Sequence, residues 1–261
     1  MAIRTQSRLS TFAASFLAIA LLATAFAPAA RALDLLQGAF INGSERYEFG
    51  YRSIPAIRVV GAPQDADWNR WAMLHDGQVY RLYAFRAGSR DTIYQFGFNR
   101  STESYEWGYN SIPVLRLIGV PRSASTRQFA MLHDGSIYRL YLQDRDNFTI
   151  LHQFGFNRST SNYEYGHRSI PQLRVTGFPR DTDWRRWAML HDGRDYRFYA
   201  FRQGSQTQVY QAGYNAGAQQ CQFRYRSIPV LTMDGFPRYA NRSSMAMLHD
   251  GTDFRFYFKD R

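Results

Sequence analysis

Four histidines, His75, His133, His191 and His249, recur at intervals of 58 residues, and each is followed by an aspartate, Asp76, Asp134, Asp192 or Asp250, and a glycine. Imidazoles and carboxylates crowded about one axis would offer a channel metal ion a ring of nitrogen and oxygen ligands. An Asp-Gly pair also suits a tight turn on its own account, because Asp bonds nearby backbone and Gly accepts positive φ. Four copies of a turn repeat its residues whether or not they bind anything.

Arg81, Arg139, Arg197 and Arg255 recur at the same period inside aromatic runs such as Tyr80-Arg81-Leu82-Tyr83. A guanidinium beside aromatic rings can hold a carboxylate or phosphate bidentately while stacking on a ring. Its structural alternative is a pair between repeats, with Asp or with Glu48, Glu106 and Glu164, whose fourth slot holds Gln222. A third set combines Gln95, Gln153 and Gln211 (with Gln37) and Tyr105 and Tyr163 (with Tyr47), Cys221 standing in the fourth tyrosine slot. Amides beside aromatic faces suit sugar rings, whereas aromatic packing between repeats needs the same bulk for its own sake. Cys221, the single cysteine, cannot form an internal disulfide and reads as a buried thiol.

No Gly-x-Ser-x-Gly, His-Glu-x-x-His or phosphate-binding loop occurs, and His152 and His167 have no catalytic spacing. Equivalent residues in four units also argue against one asymmetric active site. The chain therefore reads as a binding protein rather than an enzyme, with no cofactor beyond the possible channel ion.

The elements that must position these residues follow from the repeat itself. Ala-Met-Leu-His-Asp-Gly begins at Ala72, Ala130, Ala188 and Ala246, and Ser-Ile-Pro begins at Ser53, Ser111, Ser169 and Ser227, always 58 residues apart. Apolar runs flank Asp76-Gly77, strand formers fill Thr92 to Phe98 and Tyr105 to Trp107, and Val114 to Ile118 resumes after the Ser-Ile-Pro break. About four strands per unit and no helical period predict an all-β chain, a four-bladed β-propeller in which closure protects the sheet edges. Units one and three share Asp67-Trp68 and Asp183-Trp184 with Trp71 and Trp187, while two and four share Asp144-Arg145 and Asp260-Arg261, a twofold within the fourfold. The opening segment Leu36 to Phe40 occupies the slot of the strand ending at Phe98 and is expected to complete the last unit beside Phe254 to Phe258.

The order Ala72-Met73, Asp76-Gly77, Tyr80 to Tyr83, Tyr94 to Phe98, Gly108-Tyr109 with Pro113, and Gly119-Val120-Pro121 resembles the hemopexin-like repeat, a four-bladed propeller family. The resemblance runs through all four units and implies the propeller fold. The family's Asp at the start of the inner strand and its closing pair of cysteines have no counterpart, and its varied partners imply no particular ligand.

Residues 1–32 read as a secretory signal peptide: Arg4 and Arg8, an apolar run from Phe12 to Phe26, and the small-x-small site Ala30-Arg31-Ala32. That run is shorter than the ~20 residues of a bilayer span. Residues 33–261 are then one four-repeat domain, secreted or periplasmic. Without the three leader arginines, 29 basic residues face 21 acidic ones, a net +8. Such an excess favours anionic surfaces. The sequence therefore points to a multivalent, lectin-like protein recognising carbohydrate or an anionic cell-surface polymer, nucleic acid being a poorer fit. A protein-binding scaffold or inhibitor and a polysaccharide hydrolase or lyase remain as alternatives. Sequons at Asn42, Asn99, Asn147, Asn157 and Asn241 would carry glycans in a glycosylating host.

Overall fold

Alternating apolar residues and Gly/Pro punctuation shape this chain into strands throughout. The computed structural model describes residues 33–260, and the expected leader, residues 1–32, lies outside them. These residues form twenty strands and no helix. β1 (Leu33–Phe40), β2 (Arg46–Phe49) and β3 (Ala56–Val60) open the chain. A first unit follows as β4 (Ala66–His75), β5 (Tyr80–Arg86), β6 (Thr92–Asn99), β7 (Ser104–Trp107) and β8 (Val114–Ile118). The second is β9 (Ala124–His133), β10 (Tyr138–Asp144), β11 (Ile150–Asn157), β12 (Asn162–Tyr165) and β13 (Gln172–Thr176). The third is β14 (Thr182–His191), β15 (Tyr196–Arg202), β16 (Gln208–Asn215), β17 (Gln220–Phe223) and β18 (Val230–Asp234). β19 (Asn241–His249) and β20 (Phe254–Lys259) end the chain.

Each unit holds five strands, one more than its sequence suggests. β4, β5 and β6 are antiparallel neighbours, and β6 then pairs with β7 through Phe96 to Asn99 and with β8 through Thr92 to Tyr94. Two short strands thus share one outer edge, because the chain turns away between them at Gly108, whose φ is +72°, and at Pro113. Gly97 has to be glycine here. A Cβ on it would strike the Tyr109 carbonyl oxygen of that turn, and Gly155 and Gly213 stand in the same relation to His167 and Tyr225.

The Asp-Gly turn is wider than a two-residue hairpin. His75 pairs with Tyr80, leaving Asp76 to Val79 as the loop, and only Gly77 takes a positive φ, +91°. The Asp76 carboxylate closes this loop by accepting the N–H groups of Gln78 at 3.1 Å and Val79 at 2.8 Å.

The opening segment does complete the fourth unit. Leu35 to Ala39 of β1 pair antiparallel with Lys259 to Arg255 of β20, and β2 and β3 then pair with β1 as β7 and β8 do with β6. Parallel contacts join successive units, β3 to β7, β8 to β12, β13 to β17 and β18 back to β2, so the chain of pairings is cyclic. The long strands β4, β9, β14 and β19 likewise pack in a cycle, β19 against β4.

Both faces of each unit are covered, and the core lies between units. Along β5, Leu82 and Ala84 face the fourth unit with Leu35 and Tyr257, while Tyr83 and Phe85 face the second with Phe129 and Met131. The period of two explains why the run reads as continuously apolar: alternate residues serve opposite interfaces. Four such clusters, one per junction, enclose the fully buried Trp71, Trp187 and seven tyrosines.

Candidate functional site

The four arginines stand next to the Asp-Gly loops, since Arg81 pairs with Leu74 across the β4–β5 hairpin. Arg81 Nε donates to Asp76 Oδ2 at 3.2 Å, Arg139 to Asp134 at 2.6 Å and Arg197 to Asp192 at 2.9 Å, and Arg255 repeats the contact on Asp250. The partner is the aspartate of the arginine's own loop. Glu106 instead accepts from Asn99 and Thr102, and Glu164 from Asn157 and Thr160, so of the two acids the sequence left open the arginines take the aspartate, and they take it within their own unit rather than between units.

The link between units comes from tyrosine. Tyr138 donates its hydroxyl to Asp76 at 2.8 Å, Tyr196 to Asp134 at 2.9 Å, and Tyr80 to Asp250 at 3.1 Å. In the fourth unit the slot holds Phe254, so Asp192 lacks this donor. Burial works against ionisation of all four aspartates, yet backbone N–H groups and the arginine, joined by the Tyr138 hydroxyl at Asp76 and the Ser136 hydroxyl at Asp134, hold each below the usual carboxylate range. Burial, then the charge and hydrogen bond of Asp250, push Tyr80 up to about 12, keeping its hydroxyl a donor.

Each arginine also donates Nη1 to a backbone carbonyl of the loop before Ser-Ile-Pro: Arg81 to Asn110 at 3.1 Å, Arg139 to Arg168 at 3.2 Å, Arg255 to Arg52 at 2.8 Å, and Arg197 to Arg226. Arg52, Asn110, Arg168 and Arg226 all adopt φ between +44° and +46°. The left-handed region costs a non-glycine residue roughly 1–2 kcal/mol, and the guanidinium contact pins it. Sequence reasoning missed these four residues, because only Asn110 is of a type that favours such backbone.

Between the Arg and its loop on one side and the aromatic edge of the next unit on the other lies a pocket. At the first–second junction its volume is about 340 Å³, with Arg81, Gln95, Ser111 and Ile112 facing Tyr138 and Tyr163. At the fourth–first junction a pocket of about 310 Å³ carries Arg255, Gln37, Ser53 and Ile54 opposite Tyr80 and Tyr105. A smaller one of about 140 Å³, with Arg197, Gln211 and Ile228 against Tyr47 and Phe254, occupies the third–fourth junction.

The arginine, glutamine and tyrosine sets, separate in sequence, therefore meet in one recurring pocket. Tyr105 and Tyr163 are only 1% exposed, so they form its floor as well as the packing between units. The amides are almost as deep. Gln211 donates to Tyr199 at 2.7 Å and accepts from the Ile228 N–H at 3.0 Å. Gln153, in the amide orientation that satisfies both its ends, accepts from Arg139 and donates to the Ile170 carbonyl. The hydroxyls of Ser53, Ser111 and Ser169 are buried without a hydrogen-bond partner, whereas Ser227 donates to the Gln211 carbonyl.

The histidine ring does not assemble a metal centre. Among the described residues no group of three or more His, Cys, Asp or Glu side chains could hold a metal ion. His75, His133, His191 and His249 instead pack on Tyr80, Tyr138, Tyr196 and Phe254 with ring centroids 4.4 to 4.9 Å apart. The neighbouring carboxylates are already taken by arginine, backbone and tyrosine. Cys221 is buried as expected, its thiol pushed up to about 12 by burial, which makes it a poor nucleophile.

No family model matches the sequence, and no curated protein does. Among solved structures, a candidate 6-phosphogluconolactonase from Bacteroides fragilis is similar at 11% identity and a TM-score of 0.31, over 76% of this chain and 55% of its own length. The chain thus spans about half of that protein. AofleA from Arthrobotrys oligospora is similar at 11% identity and a TM-score of 0.35, over 81% of this chain and 74% of its own. Neither likeness is close enough to bear on a ligand or a reaction. No helix among the described residues is long and apolar enough to cross a membrane.

Proposed function

We propose that this chain is a four-bladed β-propeller of the hemopexin-like type, exported as its leader suggests, that binds carbohydrate or an anionic cell-surface polymer through the pockets between its units. The observation that carries the reading is the meeting of Arg, Gln and an aromatic edge in one pocket that recurs at three junctions between units. Apolar walls from Ile112 and Phe156, with a guanidinium at one end, suit the faces and edges of a sugar ring. Several such sites on one rigid body raise the strength of attachment to a repeating polymer by avidity.

The sites are not equal in charge. Arg255 and Arg197 each meet a second carboxylate, Asp253 at 3.4 Å and Asp195 at 3.7 Å, where the first and second units have Val79 and Ile137. Among the three pockets, an acidic ligand is therefore expected to prefer the one at Arg81.

Calorimetric titration with neutral and uronate-containing oligosaccharides at two salt concentrations tests this. Binding of the acidic series that weakens with salt, and weakens further in Ile112→Glu, supports the reading. Ile112 is exposed on the pocket wall, so this change leaves the Arg81–Asp76 pair intact. Absence of binding by both series, or affinity unchanged in Ile112→Glu, overturns it. An Arg81→Ala variant is a poor substitute, because it strands a largely buried carboxylate and is expected to cost about 3 kcal/mol of stability by itself.

A further inference from the structure

At the opposite end of the inner strands the fourfold pattern breaks in one place. The slot occupied by Trp68 in the first unit and Trp184 in the third holds Thr126 in the second and Arg242 in the fourth. Arg70, on β4, reaches across to the second unit and donates to Thr126 Oγ1 at 3.2 Å. Its counterpart Arg186, on β14, faces Arg242 on β19 instead. Where the first–second junction has an arginine on a hydroxyl, the third–fourth junction sets two guanidinium groups against each other.

Both arginines are held rigidly. Arg186 donates to Asp183 Oδ2 at 2.8 Å and to the Ser205 carbonyl at 3.0 Å, with its guanidinium 4.4 Å from the centre of the Phe201 ring. Arg242 donates to the carbonyls of Gln206 at 2.8 Å and Phe236 at 3.3 Å and lies over Phe258. Among the described residues Arg242 has no carboxylate partner. Asp183, the partner of Arg186, is shared with Arg185. Burial and the charge of Arg186 together pull Arg242 below the ordinary arginine value, so the two repel.

The pair opens onto a cleft of about 660 Å³, completed by the exposed Arg238 and by Gln206, Asn241 and Ser243. Its lining holds no carboxylate, and the Ser243 hydroxyl is donated to Asn241 Oδ1. A fork of arginines fixed by carbonyls, with the side-chain amides of Gln206 and Asn241 beside it, matches an anion with several equivalent oxygens better than a single carboxylate.

We propose that this cleft, bounded by Arg186, Arg238 and Arg242, binds a tetrahedral oxyanion, phosphate or sulfate. The anion bridges the two guanidiniums and removes their repulsion, which the related Thr126 junction never incurs. The site is separate from the inter-unit pockets and does not depend on their function.

The test is a thermal melt and calorimetric titration of the folded chain with inorganic phosphate and inorganic sulfate, using chloride at matched ionic strength as control. A parallel arm uses glucose 6-phosphate and glucose 6-sulfate, which separates a free ion from an ester on a sugar. Phosphate or sulfate should raise the melting temperature beyond chloride, as any ligand bound only by the native state does. Arg242→Gln should weaken binding by at least about tenfold, the effect of losing a hydrogen bond to a charged group. Arg242→Trp, which installs the residue of the first and third units, should lose the response while remaining folded. Ile112→Glu, in the other site, should keep it. A wild-type response no larger than that to chloride overturns the proposal. So does an equal response in the wild type and both Arg242 variants, which would leave Arg242 as a strut on two carbonyls.

Discussion

Tyr80 in the first unit donates its hydroxyl to Asp250 in the fourth, 170 residues away, and by this bond the last hairpin loop is tied to the first complete unit. The same contact ties Tyr138 to Asp76 and Tyr196 to Asp134, and is missing only where Phe254 faces Asp192. The chain thereby contains its own control. Tyr80→Phe should cost roughly 1.5–3 kcal/mol, the range for a hydrogen bond to a charged group, while Phe254→Tyr should stabilise by about 1 kcal/mol. Chemical denaturation of the two variants measures both. Equal stability in all three proteins would mean that these hydroxyls are satisfied as well by water.

Removing residues 33–42 should damage the whole molecule and not merely its edge. The segment supplies buried Leu35, Leu36 and Ala39 and the strand between β20 and the pair β2 and β3. Losing two buried leucines alone is expected to lower the melting temperature by on the order of 10 °C. A synthetic peptide of the same ten residues should restore part of the loss. A deletant that melts with the parent would show that β1 is dispensable.

Stability should fall in two stages on acidification. His75, His133, His191 and His249 are held below 6.5, chiefly by burial. The unfolded chain therefore binds protons first, and stability is lost as pH drops through 6.5 towards the folded values. The carboxylates act in the next window. Asp76, Asp134, Asp192 and Asp250 are depressed in the fold, and Asp144 is held at about 2, against burial, by Ser123, His152 and backbone N–H groups. Their contribution is present above the unfolded value of about 4 and disappears as pH falls through the folded ones. Melting temperatures from pH 8 to pH 3 should trace both stages, and Asp134→Asn should be less stable at pH 7 with a shallower fall below pH 4. A flat profile between pH 7 and pH 5 would mean that the histidines protonate in the fold as easily as in the unfolded chain.

The strands were legible because each motif recurs four times without a shift, so the exact period places Ala72, Ala130, Ala188 and Ala246 alike. The closing role of Leu36 to Phe40 was legible for the same reason, being a slot otherwise empty. The partner of Arg81 was not. Asp76 and Glu106 are both plausible acids by type, and only the register of the β4–β5 hairpin, which sets Arg81 opposite Leu74, brings the Asp76 loop beside it. The meeting of the Arg, Gln and Tyr sets was hidden too, since the pocket draws Arg81 and Gln95 from one unit and Tyr163 from the next. Period alone says nothing about which unit faces which. The metal reading of the histidines failed because spacing does not record that Tyr80 and Tyr138 cover the rings.

Because every core cluster is split between neighbouring units, a single unit released into water has nothing to bury its aromatic rows against. Folding energy is therefore collected at junctions, and the fourth unit, on which two of them depend, is itself assembled from the two ends of the described chain: Asp260 donates its N–H to the Asp34 carbonyl and accepts the Asp34 N–H on its carboxylate, 226 residues apart. Joining such distant segments costs loop-closure entropy before any contact rewards it, which makes refolding slow relative to helical proteins of equal size. A ribosome that has not yet released Phe254 to Lys259 holds a chain whose first strand still waits for its neighbour. Until that moment the unpaired edge of β1 is what a chaperone would meet.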